Sequence, residues 1–134
     1  MKASAFSFRV AVLLAVAGIS LGVYMGASHD HTMRAVHAHI NLLGWVSLFL
    51  MGIFYKLHPA IDVSRAAKWQ AAIWTFGTVV LTSAIAGIYA GYPAAEPFAA
   101  AGSLLLLADL LLFAYLVFRP VGSTEGDRVA ALAE

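Results

Sequence analysis

The chain has 134 residues, 62% of them hydrophobic and 11% charged, with eight basic side chains against seven acidic ones. That profile is far from a water-soluble domain, and a net charge of +1 identifies no charged partner; nucleic acid is not expected among its ligands. The absence of cysteine excludes disulfides, thiolate metal sites, covalent c-type haem attachment and cysteine catalysis.

Four apolar runs, near Phe8–Ala27, Thr32–Leu57, Trp69–Gly91 and Pro97–Phe118, are each about 20 residues long, enough at about 1.5 Å per residue to cross a hydrocarbon core of roughly 30 Å. The expected fold is all-α: one integral membrane bundle of four transmembrane helices over residues 1–120, with lipid as its surroundings. The first run follows Lys2 and Arg9. It is longer than the apolar region of a signal peptide, and Met25-Gly26-Ala27 is a poor cleavage site, so a retained helix is expected. Gly18, Gly22 and Gly26 recur at every fourth residue in it, as Ser83, Gly87 and Gly91 do in the third run; small residues so spaced let helices approach closely in lipid. The segments GVYMGA and GIYAGY echo each other, but the histidines of the second run have no counterpart in the fourth.

Lys2, Arg9, Lys56, Arg65, Lys68, Arg119 and Arg128 fall on the side of the termini and only Arg34 falls opposite. The positive-inside rule then puts both termini in the cytoplasm, of a bacterial inner membrane if the source is bacterial, with SHDHTMR and GYPAAEP outside. The tail, residues 121–134, turns polar after Pro120 and is expected to be loose in the cytoplasm.

The second run carries the chemistry. Nucleophile–base pairs, phosphate loops and paired carboxylates are not evident, and four of the five histidines, His29, His31, His37 and His39, crowd at its outer end. His37 and His39 project about 200° apart on a helix, so they cannot grip one ion; as ligands they serve two sites or two copies of one. Asn41 and Gly44 continue the His37 face, and Leu43, Val46 and Leu50 the His39 face. Alternatively both histidines hydrogen-bond to water, headgroups or carbonyls. Ionisable groups inside a membrane are costly and tend to mark function, which favours the ligand reading for this pair.

The stretch RAVHAHINLLGWVSLFLMGIFYKLHP, Arg34 to Pro59, resembles the second transmembrane helix of subunit I in the haem-copper oxidase and nitric oxide reductase superfamily, C-type oxidases in particular. Arg34, His37 and Tyr55 hold the places of the family's Arg-x-x-His opening and inner tyrosine. The resemblance covers about 25 residues well and the other helices by hydropathy alone. It implies that His37 is an axial ligand of haem b. Subunit I is built from three arcs of four helices, and one later helix carries an H-x-H whose histidines serve different haems. The resemblance therefore implies a homotrimer in which His37 of one chain and His39 of the next face each other across a haem, with Arg34, Asn41 and Trp45 nearby. No copper-ligand set and no second arc are present, so this chain alone is not expected to be a complete oxidase or reductase. Two histidine ligands suit electron transfer, with a redox partner or quinol; one leaves a position for nitric oxide, carbon monoxide or oxygen.

Other residues carry rival readings. His29 and His31 flank Asp30 and could bind copper or zinc, or else sit exposed beside a helix start capped by Asp30 or Thr32. His58, before Pro59, reads as a solvated end residue. Asp109, in LLLLADLLLF, costs roughly 2.5–3.5 kcal/mol at the centre of a membrane helix. It either serves a ligand histidine or a proton path, or hydrogen-bonds to Thr78, Thr82 or Ser83. Trp45, Trp69, Trp74, Tyr24, Tyr89 and Tyr92 fit interfacial belts, with Trp45 also a candidate for core or haem-edge packing. Two rivals to the haem protein remain: a membrane protein that handles copper or zinc through histidines, and a haem-free accessory subunit of a respiratory complex.

Overall fold

The computed structural model describes residues 1–119, and all of its regular structure is helical. Four helices are long and apolar enough to cross a membrane: α1 (Ala3–Ser28), α2 (Arg34–Leu57), α3 (Arg65–Tyr89) and α4 (Glu96–Phe118). The tail expected at 121–134, and Arg128 within it, lie outside the described residues.

The burial pattern of α1 inverts that of a helix in a soluble bundle. In α1 the buried residues are small apart from Met25, namely Ala3, Ser4, Ser7, Ala11, Ala15 and Gly18, while Leu13, Val16 and Val23 point outward. Large apolar side chains outside and small ones at the contacts are what a bundle surrounded by lipid needs, because hydrocarbon gives helices no hydrophobic reason to associate and close packing must hold them.

Two antiparallel hairpins result. α1 lies on α2, with Gly52 against Phe8 at one end of the pair and Gly22 against His37 at the other. α3 lies on α4, where a Cβ on Gly102 would meet the Leu81 backbone at 3.0 Å, so glycine there allows the two backbones to approach. The expected third-helix stripe does less: Ser83 is exposed and Gly91 ends the helix at φ +89°, a conformation glycine adopts without a steric penalty. A core of Leu48, Met51, Tyr55, Ile61, Trp74, Leu81, Leu106 and Leu116 joins the hairpins. The N-terminus of α1, the turn between α2 and α3, and the Phe113 end of α4 lie at one end of the bundle, as the contacts of Ser4 with Asp62 and of Phe54 with Phe113 require.

The helices start where hydrogen bonds stop them rather than where hydropathy falls. α1 begins at Ala3 instead of near Phe8 because Asp62 accepts from the Ser4 amide (2.7 Å) and hydroxyl (2.8 Å). α2 begins at Arg34 instead of near Thr32, since Asp30 takes the Thr32 amide and hydroxyl into a tight turn. Its N-cap is Met33, with no side-chain cap, so neither Asp30 nor Thr32 caps it. α3 begins at Arg65, four residues before Trp69, where the Ser64 hydroxyl accepts from the Ala67 amide.

Within α2, residues Ile40–Ser47 form a π-helical segment directly after His39. Side chains support its loosened ladder: the Ser47 hydroxyl donates to the Leu42 carbonyl (2.7 Å) and the Trp74 indole to the Leu43 carbonyl (3.0 Å). Such segments are rare and occur often at functional sites.

Candidate functional site

His37 is the fourth residue of α2 and packs half-buried against α1. Its Nδ1 lies 2.8 Å from the Gly18 carbonyl oxygen, which can only accept, so Nδ1 carries the proton and Nε2 keeps its lone pair. Two glycines make this approach possible. A methyl on Gly22 would sit 2.7 Å from His37 Cε1, and one on Gly18 would sit 2.6 Å from Asn41 Nδ2. Asn41 donates instead to the His37 carbonyl at 2.8 Å. Its 3.4 Å approach to His37 Nδ1 is packing, because that nitrogen is already a donor to Gly18.

His39 is held differently. Its Nδ1 donates to the Ala35 carbonyl, one turn back in the same helix, at 2.7 Å. His58 makes the same kind of bond to Phe54 at 2.7 Å, which marks it as an ordinary helical arrangement. Both His37 and His39 nevertheless have Nδ1 committed to a carbonyl and Nε2 as the remaining ligand atom. They stand on separate faces, as the two-residue spacing requires, and the structure does not bring them to one point within the chain.

No protein family, characterised protein or solved structure matches the chain. The site therefore has to be argued from its own geometry. Among the described residues no group of three or more histidine or carboxylate side chains forms a metal cluster. His29 and His31 are exposed, and His29 closes α1 in a left-handed conformation (φ 56°). The Thr32 hydroxyl, and then its amide, hold the Asp30 carboxyl below the usual carboxylate range. Arg34 is exposed beside the histidines, and Trp45 is 38% exposed on the outside of the bundle rather than in its core.

A second polar cluster lies in the other half of the bundle. The Tyr55 hydroxyl donates to Gln70 Oε1, and Gln70 Nε2 donates to Asp109 Oδ2 at 2.8 Å while passing Met51 Sδ at 3.4 Å. Of the partners expected for Asp109, Ser83 is exposed and the Thr82 hydroxyl donates to the Thr78 carbonyl; Gln70 bonds to it instead. Sequence reasoning passed over Gln70 altogether. The available signal was a lone amide in the otherwise apolar WQAAIW, at the spacing that lets α3 face α4. The part played by Gly18 and Gly22, as the floor beneath a histidine, was legible only as a generic packing stripe.

Proposed function

We propose that the protein is an integral membrane haem-binding protein, a minimal unit resembling oxidase subunit I, with His37 and His39 as the imidazole ligands of haem b. The observation that carries this reading is the interhelical bond from His37 Nδ1 to the Gly18 carbonyl. A metal-ligating imidazole typically donates its other ring N–H to an acceptor that fixes tautomer and orientation, and Gly18 does this for His37 while leaving Nε2 free. Haem requires only one or two protein ligands, so the residues present fit it without a three-residue cluster.

When bound, haem supplies one-electron redox chemistry or a site for a diatomic gas. The chain's own residues orient and shield. Gly18 and Gly22 set the plane of the His37 ring, Asn41 ties its backbone one turn on, and the π segment follows at once. Because His37 and His39 stand on separate faces of α2, a ring of subunits is the arrangement in which both are used; we infer a homotrimer, inserted with both termini in the cytoplasm of a bacterial inner membrane. The ligand geometry suits electron transfer when His37 and His39 of neighbouring chains share an iron, and gas binding when His37 alone holds it. The redox partner of the first case would be a quinol or a protein.

The test is the absorption spectrum of detergent-purified protein, supplied with haem, oxidised and then reduced, with and without carbon monoxide. Sharp reduced bands unmoved by carbon monoxide are expected for paired histidines, and a large shift for His37 alone. His37→Ala should abolish haem binding; His39→Ala should open the iron to carbon monoxide. Absence of a Soret band in the protein supplied with haem would overturn the reading. Native mass spectrometry showing only monomers and dimers in mild detergent would overturn the trimer.

A further inference from the structure

Asp109 is the buried carboxyl that the haem reading does not use. It is 3% exposed, about 14 Å from the Phe118 end of α4 and about 20 Å from its Glu96 end at 1.5 Å per residue. Its two oxygens are treated unequally. Oδ2 accepts from Gln70, whose amide oxygen accepts in turn from Tyr55, so each donor in the chain points toward the carboxyl. Oδ1 is buried and has no partner.

A carboxylate with a bare oxygen in this environment calls for a positive counterpart, since an unpaired buried charge is among the costliest arrangements in a protein. Among the described residues no side chain supplies one. The polar groups that α2 and α3 direct into this part of the core are Tyr55, Gln70 and Thr78; Arg65 and Lys68 lie exposed at the bundle end, and on α4 itself Tyr115 is exposed. Nor does the core offer the several oxygen ligands that a metal cation needs. The counterpart that one oxygen can hold alone is a proton.

We propose that Asp109 is a proton-exchange site within the bundle, with Oδ1 as the atom that takes up and releases the proton. The proton comes from water and returns to it: hydronium and carboxylate give carboxylic acid and water, and nothing is oxidised or reduced. Gln70 and Tyr55 keep their own protons. Their role is positioning, because Gln70 holds Oδ2 as an acceptor in both states and Tyr55 fixes which end of the amide faces the carboxyl. The site does not rest on haem, which belongs to the opposite half of the bundle.

Infrared spectroscopy of the full chain in lipid tests this. A protonated-carboxyl carbonyl band should be present in acid and lost in alkali, move on incorporation of isotope-labelled aspartate, and shift in heavy water. Asp109→Asn should remove it. Gln70→Leu, which frees the Oδ2 carbonyl from its hydrogen bond, should move the band to higher frequency, and Tyr55→Phe should move it less in the same direction. Because the chain has four aspartates, the labelled band is assigned to Asp109 by its shift in Gln70→Leu, which does not need the Asp109 variant to fold. A labelled aspartate band present at every pH, no such band at any pH, or a band indifferent to Gln70→Leu would each overturn the proposal.

Discussion

Gly22→Ala is the sharpest perturbation of the His37 site, because it leaves every polar group in place. The added methyl would lie 2.7 Å from His37 Cε1, 3.1 Å from Nδ1 and 3.6 Å from Nε2. Carbon atoms rest at about 3.5–4.0 Å, so the ring must retreat by about 1 Å. A retreat of that size strains or breaks a 2.8 Å bond to the Gly18 carbonyl. Loss of the bond costs about 1 kcal/mol and the overpacking about 1–3 kcal/mol, offset by about 1 kcal/mol of helix propensity gained when glycine becomes alanine. The net expectation is about 1–3 kcal/mol of destabilisation. Gly26→Ala is the control: its methyl meets nothing within 4 Å, so only the propensity gain remains. Thermal unfolding of both variants in the same detergent measures the difference. Equal melting temperatures for Gly22→Ala and Gly26→Ala would refute the seating of His37 on α1, whether or not haem binds.

Asp62→Ala removes the acceptor of both the Ser4 amide and the Ser4 hydroxyl and is expected to cost about 2–3 kcal/mol and fray the start of α1, read by hydrogen exchange at Ser4; unchanged protection there would refute the capping role. Trp74→Phe leaves the Leu43 carbonyl without its indole donor and should cost about 0.5–1.5 kcal/mol in thermal unfolding, the range of interhelical hydrogen bonds in membranes. Because the Asp30 carboxyl is held low in the folded chain, its contribution to stability is present above the ordinary value of 3.8 and disappears as pH falls through the lowered one. Carbon NMR should place the Asp30 midpoint below the ordinary aspartate range, and Thr32→Ala, which removes the hydroxyl but keeps the amide donor, should bring it part of the way back; an ordinary midpoint in the unmodified protein would contradict the turn.

The four helices were legible because about 20 apolar residues in a row admit few other structures, whereas the start of α3 at Ser64 was not read. The crowding of histidines was legible for a similar reason: ionisable groups are conspicuous in a chain with so few of them. What hydropathy could not supply was pairing. Asp109 was matched in advance with Thr78, Thr82 and Ser83; with Leu81 against Gly102 and Gly77 against Leu106, Thr82 and Ser83 sit well away from it along the bundle, and its donor is Gln70, whose side chain is long enough to reach it. The link from Asp62 to Ser4 spans 58 residues and depends on the α1–α2 hairpin already being formed. The π segment was invisible for a further reason. Nothing in INLLGWVS distinguishes it from an α-helix, and two of its carbonyls are served by Ser47 and by Trp74 of another helix.

That segment decides how the two halves of α2 are aimed. From His37 to Tyr55 is eighteen residues, which at about 100° each is about five whole turns, so an unbroken α-helix would place both side chains on one face. The structure does not. His37, Asn41 and Gly44 meet α1, whereas Tyr55 meets Gln70 of α3 and Phe113 of α4. A π segment holds more residues per turn than the α-helix it interrupts, and one extra residue delays the winding by about 100°. A delay of this kind turns Tyr55 away from the direction an unbroken α-helix would give it, and Tyr55 meets α3 and α4. The Trp74 bond to Leu43 fastens the segment at the level where this rotation is made. The seating of His37 on the first hairpin and the donor chain to Asp109 on the second thus depend on one local departure from α-helical winding, placed between them in the only helix that contributes side chains to both.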